Sequence, residues 1–260
     1  MISFRKTIRF VSPRLNELSF FAEDRFVKSL RNCPPSQRVD LFRATLEAGD
    51  QHLFNCFREG ENVNRLTKDR AMFMDRLIFH AWSLFDWDKN ISLLAVGGYG
   101  RSEMYPQSDI DLLILTRKDN HSNYRQSIQS FTTLLWDLQL KIGHSVRTPK
   151  QCAQLAKTDV TVLTNLMESR TIVGDDELRV EMDRLIDPAK IWPASKFYEA
   201  KLQEQKNRHA RHGISEYDME PNAKESPGAL RDIQTLSWIA KRLYGVSSIE
   251  ALAGKGIYTE

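Results

Sequence analysis

The sequence predicts an α+β fold, in which a small mixed β-sheet is flanked by N-terminal and C-terminal helical segments. Three short apolar or mixed runs have the length and composition of strands: Ile91–Val96, Ile110–Leu115 and Ile142–Arg147. Longer stretches with apolar residues three and four positions apart, typical of amphipathic helices, precede and follow them. We therefore expect a helical region at 1–88, an α/β core at 89–175 and a second helical region at 176–260.

Two helices are predicted before the sheet. Ser36 is a suitable N-cap for a helix that runs to Phe57 and is closed by Gly60. From Asn64 to Phe85 the apolar residues form a broad stripe at helical spacing. His80 lies beside this stripe, and we interpret it as a structural histidine rather than a ligand. Three aromatic residues are expected to seal this helix against the sheet: Trp82, Phe85 and Trp87.

After the second strand, the pattern predicts a helix from Ser122 to Leu140, followed by the third strand. Thr148 and Pro149 have the residue types of an N-cap and a first helical position. Further elements are predicted as helices at 159–169 and 175–185 and an edge strand at 171–173.

A long helix is predicted from Ala194 to His212, and a last one from Leu230 to Tyr244. The long helix carries several cations, namely Lys201, Lys206, Arg208, His209, Arg211 and His212. Since Glu199 and Glu204 lie among them, we favour a solvated, ion-paired face. The alternative is a cationic end near Arg208 and Arg211 that binds a triphosphate or an acidic partner.

Composition excludes several classes of function. A net charge of +3 is too weak to indicate nucleic acid binding. The apolar runs are too short to span a membrane, and the first residues do not resemble a secretory signal. The three cysteines are odd in number and far apart, which predicts reduced thiols in a cytoplasmic protein, without a disulfide framework or a zinc site.

The most informative stretch joins a glycine-rich turn to a pair of carboxylates. Gly97, Gly98 and Gly100 follow the first strand, while Asp109 and Asp111 stand at the start of the second. Residues two apart in a strand point to the same face, so the two carboxylates are expected to project together. Such a pair is costly beside an apolar sheet, and a divalent cation would relieve the repulsion.

Glycines allow a phosphate to approach the backbone, and Mg²⁺ prefers one or two carboxylates together with substrate phosphates. The pattern therefore predicts metal-dependent transfer of a nucleotidyl group, with Asp109 and Asp111 as catalytic metal ligands. Gly97, Gly98 and Arg101 would neutralise the phosphates. An ordinary β-turn followed by an aspartate-capped strand is the simpler alternative.

These residues resemble a known family. The spacing of Gly97-Gly98 and Asp109-Ile110-Asp111 is similar to the signature of the DNA polymerase β-like nucleotidyltransferases. The fuller strings 97–113, 143–148 and 226–235 resemble the bifunctional uridylyltransferase/uridylyl-removing enzymes that act on the nitrogen-regulatory PII protein. The resemblance implies a nucleotidyltransferase core, UTP as donor and a PII tyrosine as acceptor. It also implies that nucleotide is bound by a set of residues that includes Gly100, Ser108, Arg231 and Asp232.

The chain departs from the family pattern at two positions. Lys141 stands where a third carboxylate is usual, and Ser102 where glycine is usual. His144 is then a candidate catalytic base, and Asp137 is a further candidate. A non-catalytic nucleotide- or partner-binding module, or a transferase with another nucleotide or acceptor, remains an alternative. The family continues with a phosphohydrolase domain, so we expect these residues to be an N-terminal piece of a longer protein or a truncated gene product.

Overall fold

A computed structural model describes residues 18–118, 124–211, 222–246 and 250–257 of the protein. The helices in chain order are α1 Glu23–Asn32, α2 Arg38–Arg58, α3 Val63–Trp82, α4 Gly97–Gly100, α5 Arg125–Asp137, α6 Pro149–Ala156, α7 Val160–Met167, α8 Glu177–Leu185, α9 Ala194–Arg211 and α10 Leu230–Tyr244. The strands are β1 Ile91–Ala95, β2 Ile110–Thr116, β3 Ile142–Arg147 and β4 Arg170–Val173. Short 3₁₀ turns lie at Pro35–Gln37 and Glu250–Lys255.

Within these ranges the four strands form one sheet in the order β3-β2-β1-β4. β1 pairs antiparallel with both β2 and β4, whereas β2 pairs parallel with β3. The sheet is therefore mixed, and the predicted α+β class is confirmed. The expected edge strand at 171–173 is β4, and the third predicted strand has the bounds of β3.

The core lies where helices α1, α2, α3 and α5 pack on the sheet. The apolar stripe of α3 is buried, with Phe73, Leu77 and Trp82 at most 2% exposed. Trp82 stacks on Trp87 with ring centroids 3.7 Å apart and meets Phe131 of α5 edge-on. The aromatic residues at the end of α3 therefore pack against helix α5, and the predicted seal against the sheet stays a prediction.

His80 is a structural residue, as predicted. It is buried, and its Nε2 lies 2.8 Å from Oε1 of Glu23 in α1. The same carboxylate pairs with Arg76, so it links α1 to α3. The hydrogen bond from His80 is the main reason why the pKa of Glu23 lies below its ordinary value.

Two predicted helix starts had different outcomes. Thr148 caps α6: its hydroxyl accepts from the Gln151 N–H at 3.2 Å, and the Gln151 side chain accepts from the Thr148 N–H at 2.8 Å. The predicted cap at Ser36 is wrong, because Pro35 and Gln37 bound a 3₁₀ turn and α2 begins only at Arg38.

The described residues form two compact units. The first contains the residues up to Cys152 together with 165–183, and the second contains 153–164 together with the residues from Arg184 onward. The segment boundaries predicted at 88 and 175 are not tested by this grouping and stay a prediction. His212, the predicted last residue of the long helix, lies outside the described residues. Over the described ranges, no helix has both the length and the apolar character required to cross a bilayer.

Candidate active site

The strand register places the two predicted carboxylates at one end of β2. Asp109 immediately precedes β2 and is exposed, while Asp111 is its second residue and is half-buried. The strand is anchored on both sides there: the Ile110 N–H donates to the Lys141 carbonyl at 2.8 Å, and the Val96 N–H donates to the Asp111 carbonyl at 3.0 Å. Residues two apart in a strand share a face, so alternation continued to Asp109 predicts both side chains on the same side of the sheet.

Two glycines make room for the Asp111 carboxylate. A β-carbon on Gly97 would lie 3.4 Å from Asp111 Oδ2, and one on Gly143 would lie only 2.7 Å from Asp111 Oδ1. Gly143 is paired with Asp111 in the parallel β2–β3 register. The carboxylate is thus confined between the glycine turn and β3, next to Gly97 as the sequence predicted.

The glycine turn is a single helical turn, α4, that starts directly after β1. Gly97 has φ +58°, a left-handed conformation that favours glycine. The turn ends in a Schellman motif, since Ser102 N–H donates to the Tyr99 carbonyl and Glu103 N–H to the Gly98 carbonyl. Ser102 occupies the left-handed position of this motif, with φ +61°. Serine therefore replaces the family's usual glycine at a position where glycine would relieve backbone strain.

A buried ionic network holds the turn from the side of α3 and β4. Arg170 donates to Asp75 through two nitrogens, at 2.6 and 2.9 Å, and to the Tyr99 carbonyl at 3.1 Å. The Tyr99 hydroxyl donates to Asp75 at 2.6 Å. Burial raises the pKa of that hydroxyl well above its usual value, so it remains a donor. Asp75 is only 2% exposed, and the network fixes the backbone of the turn.

Arg101 lies over the turn and is paired with two acids. Its guanidinium donates to Glu103 at 2.8 Å and to Glu168 at 2.6 Å, and its Nη2 would be 3.6 Å from a β-carbon on Gly98. Gly100 approaches the same Glu168 segment so closely that a β-carbon would be 2.1 Å from its carbonyl oxygen. The fold thus brings Asp111 together with four residues of the turn: Gly97, Gly98, Gly100 and Arg101.

Ser108 lies just before the carboxylate pair and closes a short turn. Its hydroxyl accepts from the Tyr105 N–H at 3.0 Å, and its own N–H donates to the Tyr105 carbonyl at 3.0 Å. These bonds direct the chain into Asp109. A role of the Ser108 hydroxyl in nucleotide binding stays a prediction.

The structure does not bring His144 to the carboxylates. His144 is paired with Leu112 in the parallel register, whereas Asp111 is paired with Gly143. Directly paired residues share a face and neighbours alternate, so His144 belongs to the opposite side of the sheet. There its ring meets Trp136 of α5 edge-on, with centroids 5.9 Å apart. This corrects the expectation that His144 is positioned as a base beside the two aspartates.

Asp137, the other candidate base, ends α5, and its backbone carbonyl accepts from Arg43.

Lys141 lies immediately before β3, level with the Asp109 end of β2, and its ammonium donates to Gln107 at 3.4 Å. A cation therefore occupies the position where the family resemblance implies a third acid. In the part of the chain that the structure describes, no group of three or more histidine, cysteine or acidic side chains could hold a metal ion.

Arg231 and Asp232 belong to the second compact unit, where they have different partners, as the sequence suggested. Asp232 accepts from Arg208, from the Gly228 N–H at 2.8 Å, and lies 3.1 Å from His209 Nε2. Arg231 donates to Gln234 at 3.0 Å and lies over the Trp238 ring. Their predicted contact with nucleotide is not tested by this arrangement.

The prediction that the cations of α9 face solvent is wrong for two of them. Lys201 is 1% exposed and Arg208 is 5% exposed. Lys201 pairs with Glu204 at 2.7 Å and lies 4.2 Å from the centroid of the Trp238 ring. Burial lowers the pKa of Lys201. Both side chains therefore hold α9 and α10 together rather than facing solvent.

The sequence did not indicate three residues of the site region. Asp75 and Arg170 form the supporting network, and Asn165 Oδ1 would be 3.5 Å from a β-carbon on Gly97. Asp75 gave a weak signal, because it is a carboxylate within the buried stretch of α3. No sequence pattern indicates Asn165 or Arg170, since these two residues come close to the glycine turn only in the folded chain.

A glycine turn with a carboxylate pair on the adjacent strand of a mixed sheet defines a nucleotidyltransferase domain. A family model described as a nucleotidyltransferase domain matches residues 83–173. A second model, described as GlnD PII-uridylyltransferase, matches residues 196–260.

Curated relatives extend the match over most of the chain. The bifunctional uridylyltransferase/uridylyl-removing enzyme of Pseudomonas syringae pv. tomato is 49% identical over 84% of this chain and 24% of its own length. Enzymes of the same description are 48% identical over 86% of the chain in Azotobacter vinelandii and 44% identical over 96% in Stutzerimonas stutzeri, covering 25% and 27% of those proteins. These matches confirm the resemblance to this family over most of the chain, which spans about a quarter of the length of these relatives.

Proposed function

We propose that this chain is a magnesium-dependent nucleotidyltransferase that transfers UMP from UTP to a tyrosine hydroxyl of a PII signalling protein, with release of pyrophosphate. The main support is the Asp111 carboxylate, which lies between Gly97 and Gly143 at the end of β2 that also carries Asp109. A glycine turn beside two carboxylates on one sheet face can hold a triphosphate and its counter-ions at the same place.

The oxygen donors fit Mg²⁺, which takes one or two protein carboxylates and completes its coordination with phosphates and water. Asp109 and Asp111 would hold it, and the bound ion would neutralise the phosphates and activate the acceptor oxygen. Gly143 supports this assignment, because its missing side chain is what leaves space for the Asp111 carboxylate.

The remaining residues of the site position the nucleotide. The N–H groups at the start of α4 precede its first intrahelical bond, from Gly100 to the Val96 carbonyl, so Gly97 and Gly98 can present them to a phosphate. Arg101, held over Gly98 by Glu103 and Glu168, adds positive charge at a fixed place. Charge stabilisation and positioning provide most of the catalysis of such transfers.

The proposal has three more specific parts: UTP as donor, a PII protein as acceptor and a cytoplasmic location. They are supported by the relatives' description as uridylyltransferases, by the PII-uridylyltransferase family model, and by the three free cysteines of the chain. Nucleotide contacts of Ser108, Arg231 and Asp232 belong to the same proposal. His144 is left out of it, because it lies on the opposite sheet face.

The test is transfer of label from α-labelled UTP to purified PII protein in the presence of Mg²⁺. We expect labelling by the parent chain and none by the Asp109→Asn/Asp111→Asn variant. Asp86→Asn/Asp88→Asn is a matched control, since it changes the same charge at the same spacing next to the other end of β1. Equal labelling by the site variant, or none by the parent chain, would contradict the proposal.

Lys141 favours a second candidate, a module that binds nucleotide or a partner without turnover, because a cation replaces the usual third acid. Mg²⁺-dependent protection by UTP against thermal unfolding, without pyrophosphate release, is the result expected for it. Stronger protection by ATP than by UTP would instead indicate a transferase with another nucleotide.

A further inference from the structure

We propose that the side-chain amide oxygen of Asn165 is a third oxygen donor of the divalent-cation site at Asp109 and Asp111. The inference rests on the proposed function and deepens it, because it locates in helix α7 a donor that strand β3 does not supply. Asn165, Gly97 and the two aspartates all belong to the first compact unit.

Two oxygens converge beside Gly97. A β-carbon at this glycine would lie 3.4 Å from Asp111 Oδ2 and 3.5 Å from Asn165 Oδ1. Both oxygens therefore border the same small volume, which is open because residue 97 has no side chain. Asn165 is exposed, so its amide is accessible to an ion and to a nucleotide phosphate.

The fold fixes the position of Asn165. The Asn165 carbonyl accepts from the Glu168 N–H at 3.3 Å, and the Glu168 side chain holds Arg101 over the glycine turn. Asn165 is thus connected to the turn by a short, hydrogen-bonded stretch of chain.

The chemistry of the two oxygens favours a cation between them. A carboxylate oxygen and an amide oxygen are both acceptors, so both can be ligands of one cation. Hard divalent cations accept neutral amide oxygens as ligands alongside carboxylates. A neutral third donor also adds no negative charge beside an incoming triphosphate, unlike a third acid.

An amide rotated by half a turn would present nitrogen instead, and would donate to a phosphate oxygen. Substitution by aspartate separates the two roles, because it retains an oxygen in place and removes the donor. If the oxygen is the ligand, Asn165→Asp binds the cation at least as tightly as the parent chain does.

The experiment measures binding of Mn²⁺ to the whole nucleotide-free chain by electron paramagnetic resonance. We expect Asn165→Ala to weaken binding about tenfold, and Asn165→Asp to match or exceed the parent. Asn64→Ala, the same change at an exposed position of α3, is the control and should leave the affinity unchanged. Thermal unfolding of each variant verifies that it is folded.

The outcomes separate this inference from the proposed function. Parent-like affinity in Asn165→Ala overturns the inference, and weakened affinity in Asn165→Asp overturns it in favour of the amide nitrogen. Either result leaves UMP transfer intact as a proposal. If Asp109→Asn/Asp111→Asn binds Mn²⁺ as the parent does, the metal site itself is refuted, and both proposals fail.

Discussion

Removal of Arg170 should destabilise the protein far more than removal of an ordinary surface arginine. In Arg170→Met, Asp75 loses two hydrogen bonds of 2.6 and 2.9 Å while it remains almost completely buried. The Tyr99 carbonyl of the glycine turn loses its 3.1 Å bond at the same time. An uncompensated buried charge costs about 3–5 kcal/mol, and we expect the free energy of unfolding to fall by that amount.

Two other single-residue variants provide reference values for the loss in free energy of unfolding. Tyr99→Phe removes only the 2.6 Å hydrogen bond to Asp75, and should cost about 2 kcal/mol. Arg65→Met removes pairs with Glu61 and Asp69 in which the arginine is 67% exposed, and should cost less than about 1 kcal/mol. The expected order of the losses is therefore Arg170, Tyr99 and Arg65.

Urea unfolding followed by circular dichroism gives the free energies, and the variants Asp75→Asn and Asp75→Asn/Arg170→Met complete a double-mutant cycle with Arg170→Met. Because the two residues are in direct contact, the double variant should lose less than the sum of the single losses. Additive losses, or a loss in Arg170→Met no larger than in Arg65→Met, would refute the network as the support of the turn.

Three further predictions concern other residues. Ser102→Gly relieves a left-handed backbone and should raise the free energy of unfolding by about 1 kcal/mol, whereas Ser102→Ala should give no gain in the same urea titration. The lowered pKa of Glu23 means that its carboxylate stabilises the folded state above its ordinary pKa of 4.5, and this stability is lost as pH falls through the lowered value. Unfolding midpoints measured from about pH 6 to pH 3 should therefore fall more steeply for the parent than for Glu23→Gln, and parallel curves would contradict this. Lys141→Glu places an acid beside Asp109 and should tighten Mn²⁺ binding about tenfold, with weaker or unchanged binding as the contrary result.

Local periodicity was sufficient for most of the helices and strands. That Asp109 and Asp111 share a face stays a prediction from strand alternation, a rule that needs no knowledge of neighbouring strands. The same rule could not place His144, because its face depends on the register of β3 against β2. That register is a tertiary property, and here it pairs Asp111 with Gly143.

The buried cations of α9 were predictable in principle. Phe197, Lys201 and Arg208 are spaced by four and seven residues, so they occupy one face of a helix, and all three are buried. Charge pattern alone suggested solvent, because it ignored the apolar Phe197 on that face. Asn165 and Arg170 were not predictable, since no periodic pattern within their own segments points to the glycine turn.

The ionic network under the glycine turn joins Asp75 and Arg170, which are 95 positions apart in the chain. Residues 83–173, the span of the nucleotidyltransferase family model, contain Arg170 but not Asp75. An excised fragment with these limits would keep every residue of the glycine and aspartate motifs, yet leave the Arg170 guanidinium without its carboxylate. The support of the glycine turn therefore extends upstream of the recognisable motif, at least as far as Asp75 in helix α3.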